Sequence, residues 1–334
     1  MTESSKSETT RKDSKLMTPE VLSFLKKHAY IAVVLNFAGG CSSNGAAGEL
    51  GYLLIAGLVV VATLVFIIEK AKSKGRITPE SDSQLNNERG KHLNNYLEQT
   101  KGERLTAEQS KTIEENLGLY NWVPEDLKKP WEERILVFLD SFHFTDTLDG
   151  PVTEEMRLLV AAEACLLIVN RPMSDYRHLQ RIRLWENEIE GMENAKGTAT
   201  RHEVNLSWAY LRKTIGNARD GHNLTLHEFA HIIDFADDGV AQSIPVSRYS
   251  SDYEEWKVMV DEEHQRLMKS YESGKNYSIR AYGGYECIKG DKPELFSCAT
   301  SAFFERGVRL KRECPKVYKA LKKFYAIDPA TWRK

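Results

Sequence analysis

The chain has few cysteines, and their spacing matches none of the usual cysteine-based sites. Five cysteines occur in 334 residues, and no two of them form a Cys-x-x-Cys pair. This odd number argues against a disulfide scaffold or a cysteine-based zinc site and indicates a reducing compartment. Acidic and basic residues are nearly balanced, 48 against 46, which gives a net charge of −2. Because the basic excess of nucleic-acid-binding proteins is missing, we expect no direct binding to nucleic acid.

Charge is missing altogether from one stretch near the N-terminus. Residues Leu50 to Ile68 contain no Asp, Glu, Lys or Arg. At a rise of 1.5 Å per residue, such a helix just spans a hydrocarbon layer of about 30 Å. We therefore predict a transmembrane helix at 50–68, within a membrane region at 29–69 that follows a disordered polar tail at 1–28. The shorter apolar run at 29–40 is either a further membrane segment or a signal segment that ends at Cys41.

Basic residues are distributed unevenly around the predicted span. Four of them follow it between Lys70 and Arg76, whereas none lies between Lys27 and Leu50. Because positive charge favours the cytoplasmic side, we expect the remainder of the chain to face the cytoplasm. The N-terminal tail is also basic, so both a single span and a hairpin of two membrane segments stay open.

Two segments of different composition follow the predicted span. Residues 70–118 are polar, with little hydrophobic periodicity, and we predict a linker there, partly helical after Thr106. A globular domain is predicted at 119–330, and it contains both helices and period-two strands. The predicted helices are 124–141, 153–170, 251–271, 293–306 and one that begins at Pro315, and the strands lie around 182–184 and 204–208. Strands that precede further helices predict an α+β domain.

Residues 227–231 read His-Glu-Phe-Ala-His. On a helix, His227 and His231 lie on the same face, so both rings can coordinate one zinc ion at a distance of about 2 Å. Glu228 then lies beside the ion and can accept a proton from a metal-bound water. The flanking residues are apolar, which predicts a buried helix with one polar stripe. Asp234 is placed to accept the other ring N–H of a ligand histidine.

A catalytic zinc ion needs three protein ligands and an open position for water. The downstream candidates for the third ligand are Glu254, Glu255, Asp261, Glu262, Glu263, His264, Glu286, Glu294 and Glu305. Most of them belong to the predicted helix at 251–271, whose alternating charges are typical of a solvated face. Glu294 instead lies in the first turn of a predicted apolar helix, where a carboxylate is exceptional and therefore favours a role as a ligand. Cys298, one turn further, is an alternative ligand, although a thiolate beside two histidines is more typical of a closed structural site.

Three stretches of the sequence resemble a bacterial family. They are residues 220–231 followed by Asp234, residues 152–168, and residues 293–305 together with FYAIDP at 324–329. They are similar to the Mlc titration factor A family of zinc metallopeptidases, whose catalytic core resembles that of anthrax lethal factor. The resemblance covers roughly residues 119–330 and implies a zincin-like α+β fold. It also implies one zinc ion held by His227, His231 and Glu294, with Glu228 as the general base.

The family also has a tyrosine shortly before the third ligand, where it is thought to steady the oxyanion. In this chain the resemblance implies Tyr282 for that role, with Tyr285 as a rival, and several extra residues separate both from Glu294. Family members are usually soluble, so the predicted membrane segment is a departure from the pattern.

The combined prediction is a membrane-anchored zinc metallopeptidase that faces the cytoplasm and acts on peptide or protein substrates. The alternating stretch Glu203–Trp208 predicts an edge strand that could bind a peptide in extended form. The family resemblance also implies an alternative, in which the protein sequesters a sugar-responsive transcriptional repressor and peptidase activity is secondary.

Overall fold

Helices make up most of the chain that the structure describes. The structure is a computed structural model, and it describes residues 79–146, 151–192, 195–275, 277–285 and 292–332. The predicted tail at 1–28 and the predicted span at 50–68 lie outside these residues. Among the helices of the described ranges, none is both long and apolar enough to cross a membrane.

Ten α-helices and one small sheet are described. The helices are α1 (Pro79–Gln99), α2 (Ala107–Asn116), α3 (Glu125–Ser141), α4 (Glu154–Leu167), α5 (Trp208–Ile215), α6 (Leu224–Asp234), α7 (Tyr253–Glu272), α8 (Glu294–Glu305), α9 (Gly307–Glu313) and α10 (Pro315–Tyr325). The strands are β1 (His143–Asp146), β2 (Arg181–Trp185), β3 (Gly197–Thr200) and β4 (Glu203–Ser207). This confirms the prediction of a helix-rich α+β fold with a small sheet.

Helix starts follow the capping residues of the sequence. The side chain of Thr153 accepts a hydrogen bond from the backbone N–H of Met156 at the start of α4. Thr106 and Gln109 form a reciprocal capping box at the start of α2. Such caps satisfy backbone N–H groups that have no partner inside the helix. The predicted helix starts at Thr106 and Thr153 are therefore confirmed.

The first two helices belong to the compact part of the chain. The sequence predicted a linker up to residue 118, whereas the structure has a compact unit that begins at Asp82. Leu93 of α1 and Ile113 of α2 are each only 1% exposed and belong to the hydrophobic core. A helix that covers the outside of a domain needs only a few apolar residues on its inner face, so these polar segments showed little periodicity.

The sheet has the strand order β1-β2-β4-β3. The pairs β1–β2 and β2–β4 are parallel, and β3 is antiparallel to β4. The predicted edge strand at 203–208 is therefore wrong in position: β4 lies inside the sheet, and Trp208 already begins α5. Alternating apolar and polar residues indicate which face of a strand is buried, but they do not show which strands pair with it. The edge strand beside the metal-motif helix is β3.

Helix α6 lies at the centre of the described domain. It packs against α4, α8 and the sheet. The ring of Phe229 packs against those of Phe138 and Tyr176, at centroid distances of 5.8 and 5.5 Å. Every residue of α6 except His227 is buried, which confirms the predicted buried helix. Its position is thus fixed by packing on several sides.

Candidate metal centre

Two histidines project from the same face of α6. Asn223 caps this helix by accepting a hydrogen bond from the backbone N–H of Leu226 at 2.9 Å. His227 and His231 follow one turn apart, and their Nε2 atoms lie 3.3 Å from each other. The two rings are nearly perpendicular, at 82°. Both rings therefore direct Nε2 toward one common region.

A carboxylate from a second helix completes this cluster. Glu294 opens α8, and its Oε2 lies 3.1 Å from His227 Nε2 and 3.6 Å from His231 Nε2. Two ligands of a tetrahedral zinc ion at about 2.0 Å lie about 3.3 Å apart. The three separations of 3.1, 3.3 and 3.6 Å match that value. These three atoms therefore fit a tetrahedral zinc ion, with the fourth position left for a water.

The polar surroundings of Glu294 support this fit. Its Oε2 is buried without a hydrogen-bond partner other than the two histidine rings in the described part of the chain. Burial alone would raise the pKa of Glu294, but the adjacent rings of His227 and His231 outweigh burial and lower this pKa. A buried carboxylate that faces two ring nitrogens and no amide donor is suited to a cation.

Cys298 lies on the other side of the first histidine. Its Sγ is 3.9 Å from His227 Nδ1, the ring nitrogen opposite to the one that faces Glu294. His227, Glu294 and Cys298 also form a group that could hold a metal ion, with ligand atoms within 4.8 Å of one another. That group does not include His231. Since Nε2 of both histidines faces Glu294, we favour Cys298 as a neighbour of the His227 ring over Cys298 as a ligand.

Glu228 lies beside the cluster and points toward the sheet edge. It is buried, and burial raises its pKa, although the neighbouring His227 and His231 oppose this shift. A raised pKa brings a carboxylate closer to the pH at which it exchanges protons readily. A Cβ atom added to Gly197 of β3 would lie 2.7 Å from Glu228 Cδ. The glycine therefore leaves the space that the carboxylate occupies.

One of the two candidate tyrosines lines the same cavity as the cluster. The cavity has a volume of about 530 Å³, and its lining includes Tyr282 together with both histidines, Glu228 and Glu294. Tyr285 is not among the lining residues; it stacks on Tyr282 at a centroid distance of 5.5 Å. Burial, followed by the charge of Glu294, raises the pKa of Tyr282, so its hydroxyl stays protonated and can donate a hydrogen bond.

The lining of this cavity also includes Tyr210, His222 and Arg280, which the motif did not predict. Tyr210 Oη lies 3.1 Å from His222 Nε2, and burial together with Arg280 lowers the pKa of His222 to about 4, so this ring is neutral at pH 7. Arg280 lies over the ring of Tyr282 and forms no ion pair with a carboxylate in the described ranges. His222 and Arg280 had a sequence signal, since they belong to the stretches 220–231 and 279–282 that resemble the family, whereas Tyr210 had none.

Asp234 contacts the backbone of a loop and not a histidine ring. Its Oδ2 accepts a hydrogen bond from the backbone N–H of Ser243 at 2.7 Å. Its Oδ1 is buried and has no hydrogen-bond partner among the residues that the structure covers. The predicted bond from Asp234 to a ligand histidine is therefore not formed, because sequence spacing gives a helix face but not the side-chain direction.

Two buried carboxylates lie behind the helix cap. Asn223 donates a side-chain hydrogen bond to Glu163 of α4, and Glu305 of α8 accepts the backbone N–H of His222 at 3.0 Å. Burial raises the pKa of Glu163 to about 7. The start of α6 is thus held by acidic groups from two neighbouring helices, α4 and α8.

The two histidines, the carboxylate and the buried glutamate that line this cavity are the residue types with which metallopeptidases bind a metal ion and activate water. Comparison with known families agrees. The chain belongs to the family of glucose-regulated metallopeptidases M90, whose model matches residues 91–326, and this confirms the resemblance to the Mlc titration factor A family. The chain is also 26% identical to an uncharacterized protein of Synechocystis sp. over 231 residues, which cover 64% of this chain and 82% of that relative.

Proposed function

We propose that this protein is a zincin-like, zinc-dependent peptidase with His227, His231 and Glu294 as the metal ligands. The observation that carries the proposal is the convergence of three ligand atoms within 3.6 Å of one another at the wall of an open cavity. Membership of a metallopeptidase family supports it. A bound zinc ion would polarise the scissile carbonyl and lower the pKa of its water to about 7.

Glu228 is proposed as the general base. Its carboxylate is buried beside the ligand atoms and lies against β3, on the side where a substrate would lie. From there it can accept the proton of the attacking water and pass it to the leaving amine. Tyr282 is proposed to donate its hydroxyl hydrogen to the developing oxyanion, since it lines the same cavity and stays protonated.

The edge strand β3 is proposed to bind the substrate backbone. It is the edge strand beside α6, and its residues Gly197, Thr198 and Ala199 line the cavity. A peptide that adds to such an edge is held by main-chain hydrogen bonds, which tolerate different side chains. Arg280 supplies a cation in the same cavity that could bind a carbonyl or carboxylate of the substrate.

The decisive experiment compares zinc content and peptide hydrolysis in wild type, Glu228→Gln and His227→Ala. Glu228→Gln changes only the proton acceptor, so zinc should be retained while hydrolysis falls by about 10²–10⁴-fold. His227→Ala should lose zinc. If Glu228→Gln hydrolyses peptides at the wild-type rate, the proposed mechanism is wrong.

The same variants separate catalysis from the alternative regulatory role. A protein that acts only by sequestering a transcriptional repressor would not need Glu228, so Glu228→Gln would bind the repressor and relieve repression as wild type does. The complete set of ligands and base favours the peptidase. Loss of regulation in Glu228→Gln, with repressor binding retained, would show that hydrolysis is required.

Membrane anchoring remains a proposal from the sequence. It rests on the uncharged stretch 50–68 and on the basic cluster Lys70–Arg76 that follows it. We propose that the peptidase domain faces the cytoplasm. A reporter that matures only after export, fused after Lys334, should stay inactive. An active reporter would overturn this topology.

A further inference from the structure

A buried serine in the loop between α6 and α7 has an unusual backbone. Ser243 is fully buried, and its φ is 63°, in the left-handed region that residues other than glycine rarely adopt. Within the described ranges, Ala326 is the other residue besides glycine with a positive φ, 53°, and it follows the end of α10 and does not line the cavity of the metal cluster. A strained conformation persists only where surrounding contacts hold it.

The contacts of Ser243 join two helices. Its backbone N–H donates to Asp234 Oδ2 at the end of α6, at 2.7 Å. Its hydroxyl accepts the backbone N–H of Phe296 in α8 at 2.9 Å and donates to the carbonyl of Lys292. One residue therefore links the last residue of the histidine helix to the residues on both sides of Glu294.

Helix α8 needs such a partner because it cannot cap itself. Pro293 precedes its first residue and offers no side-chain hydrogen bond. The first N–H groups of a helix have no partner inside it, and a serine hydroxyl just before the helix normally accepts one of them. Ser243 supplies that hydroxyl from a distant loop. The bond falls on the third residue of α8, in the same turn as Glu294.

We propose that Ser243 is a positioning residue that sets the metal affinity by holding the Glu294 turn in place relative to His231. This inference rests on the proposed metal centre. Asp234 lies three residues after His231, so the connection from one ligand to the other passes through Asp234, Ser243 and the first turn of α8. Without the hydroxyl, Glu294 loses the contact that fixes its distance from the ring nitrogens.

The test measures zinc affinity in Ser243→Ala, Ser243→Gly and the matched control Ala326→Gly, using competition with a chromophoric chelator. Both Ser243 variants should bind zinc about 10–100-fold more weakly than wild type, the usual cost of removing a group that orients a ligand. Ala326→Gly relaxes a similar backbone without touching the site and should bind zinc as wild type does.

A second measurement separates positioning from general stability. Ser243→Gly relaxes the left-handed backbone, so the metal-free protein should melt at a higher temperature than Ser243→Ala does. If both variants nevertheless lose zinc affinity equally, the hydroxyl and not the strain sets the affinity. If either folded variant shows a lower melting temperature with an unchanged zinc Kd, Ser243 is merely structural and the inference is overturned.

The zinc affinity of His227→Ala distinguishes a failure of this inference from a failure of the proposed function. Zinc binding by wild type that is lost in His227→Ala, but unchanged in Ser243→Gly, would refute only the role of Ser243. Wild-type protein with no zinc affinity would refute both. Visible absorption of the Co²⁺-substituted protein gives an independent readout, because its bands should change in Ser243→Gly if the coordination geometry depends on this residue.

Discussion

The glycine at the start of β3 offers a sharp test of the proposed general base. A Cβ atom at Gly197 would lie 2.7 Å from Glu228 Cδ and 2.7 Å from Leu224 Cδ1, and closer still to Glu228 Oε1. Carbon atoms in contact are normally about 3.5–4.0 Å apart. In Gly197→Ala the Glu228 carboxylate and the end of the Leu224 side chain must therefore each move by about 1 Å, while the histidines and Glu294 have no reason to move.

A displacement of about 1 Å at a catalytic group can cost about 10²-fold in rate, equivalent to about 2.7 kcal/mol in activation free energy. We therefore expect kcat/KM for a fluorogenic peptide to fall about 100-fold in Gly197→Ala, with zinc content and melting temperature close to wild type. The side chain of Glu228 can rotate away from the new methyl group, so the fold should tolerate the change.

The matched control is Gly216→Ala, because a Cβ atom there has its nearest neighbour at 3.9 Å and the φ of −77° suits alanine. A double-mutant cycle tests whether the loss of activity acts through Glu228. In a Glu228→Gln background, Gly197→Ala should cause little further loss of activity. If the full loss persists in that background, the new methyl group acts on substrate binding along β3. Wild-type activity in Gly197→Ala would refute the reasoning.

Three further predictions follow from the cavity and its surroundings. Tyr282→Phe should lower kcat by about 10²–10³-fold with zinc affinity unchanged, as expected for loss of an oxyanion donor, whereas Tyr285→Phe should not; equal effects would contradict the assignment. Arg280→Gln should raise KM more than it lowers kcat, most strongly for peptides that carry a carboxylate, in steady-state assays. Burial raises the pKa of Glu163 to about 7 from an ordinary 4.5, so the fold prefers the protonated form and wild-type stability should fall as the pH rises through this range. In urea unfolding, the stability of Glu163→Gln relative to wild type should then increase by about 3 kcal/mol between pH 4.5 and pH 8. The control is Glu155→Gln, at an exposed position. A stability difference between Glu163→Gln and wild type that stays constant with pH would refute this prediction.

The local parts of the site could be predicted from the sequence because they depend on helix geometry alone. The spacing of His227 and His231 places both rings on one face of any α-helix, and the apolar flanks bury that helix. The edge strand required information that lies outside any local pattern. Gly197–Thr200 is only four residues long, and its position at the edge depends on its pairing with β4.

The contacts of Ser243 with α6 and α8 could not be predicted from the sequence for the same reason. Ser243 contacts Phe296, 53 positions later in the chain. Nothing in a polar loop indicates that one hydroxyl caps a distant helix, and the left-handed backbone of a serine has no sequence signature. Contacts of this kind depend on the packing of α6 against α8, which the sequence alone does not specify.

The choice of Glu294 as the proposed third ligand shows which part of the site could be predicted from the sequence and which could not. Glu294 was selected as a carboxylate in an apolar helix, but Glu163 and Glu305 meet the same criterion and are also buried beside α6. What separates them is the kind of partner. Glu163 accepts an amide hydrogen of Asn223 and Glu305 accepts the backbone N–H of His222, so protein donors stabilise both. The Oε2 of Glu294 faces only the ring nitrogens of the two histidines. A ring nitrogen and a carboxylate oxygen attract each other only when a proton or a metal ion lies between them. A buried carboxylate in this position needs a cation beside it, either a metal ion or a protonated histidine ring, and this need sets Glu294 apart from Glu163 and Glu305 as the proposed ligand.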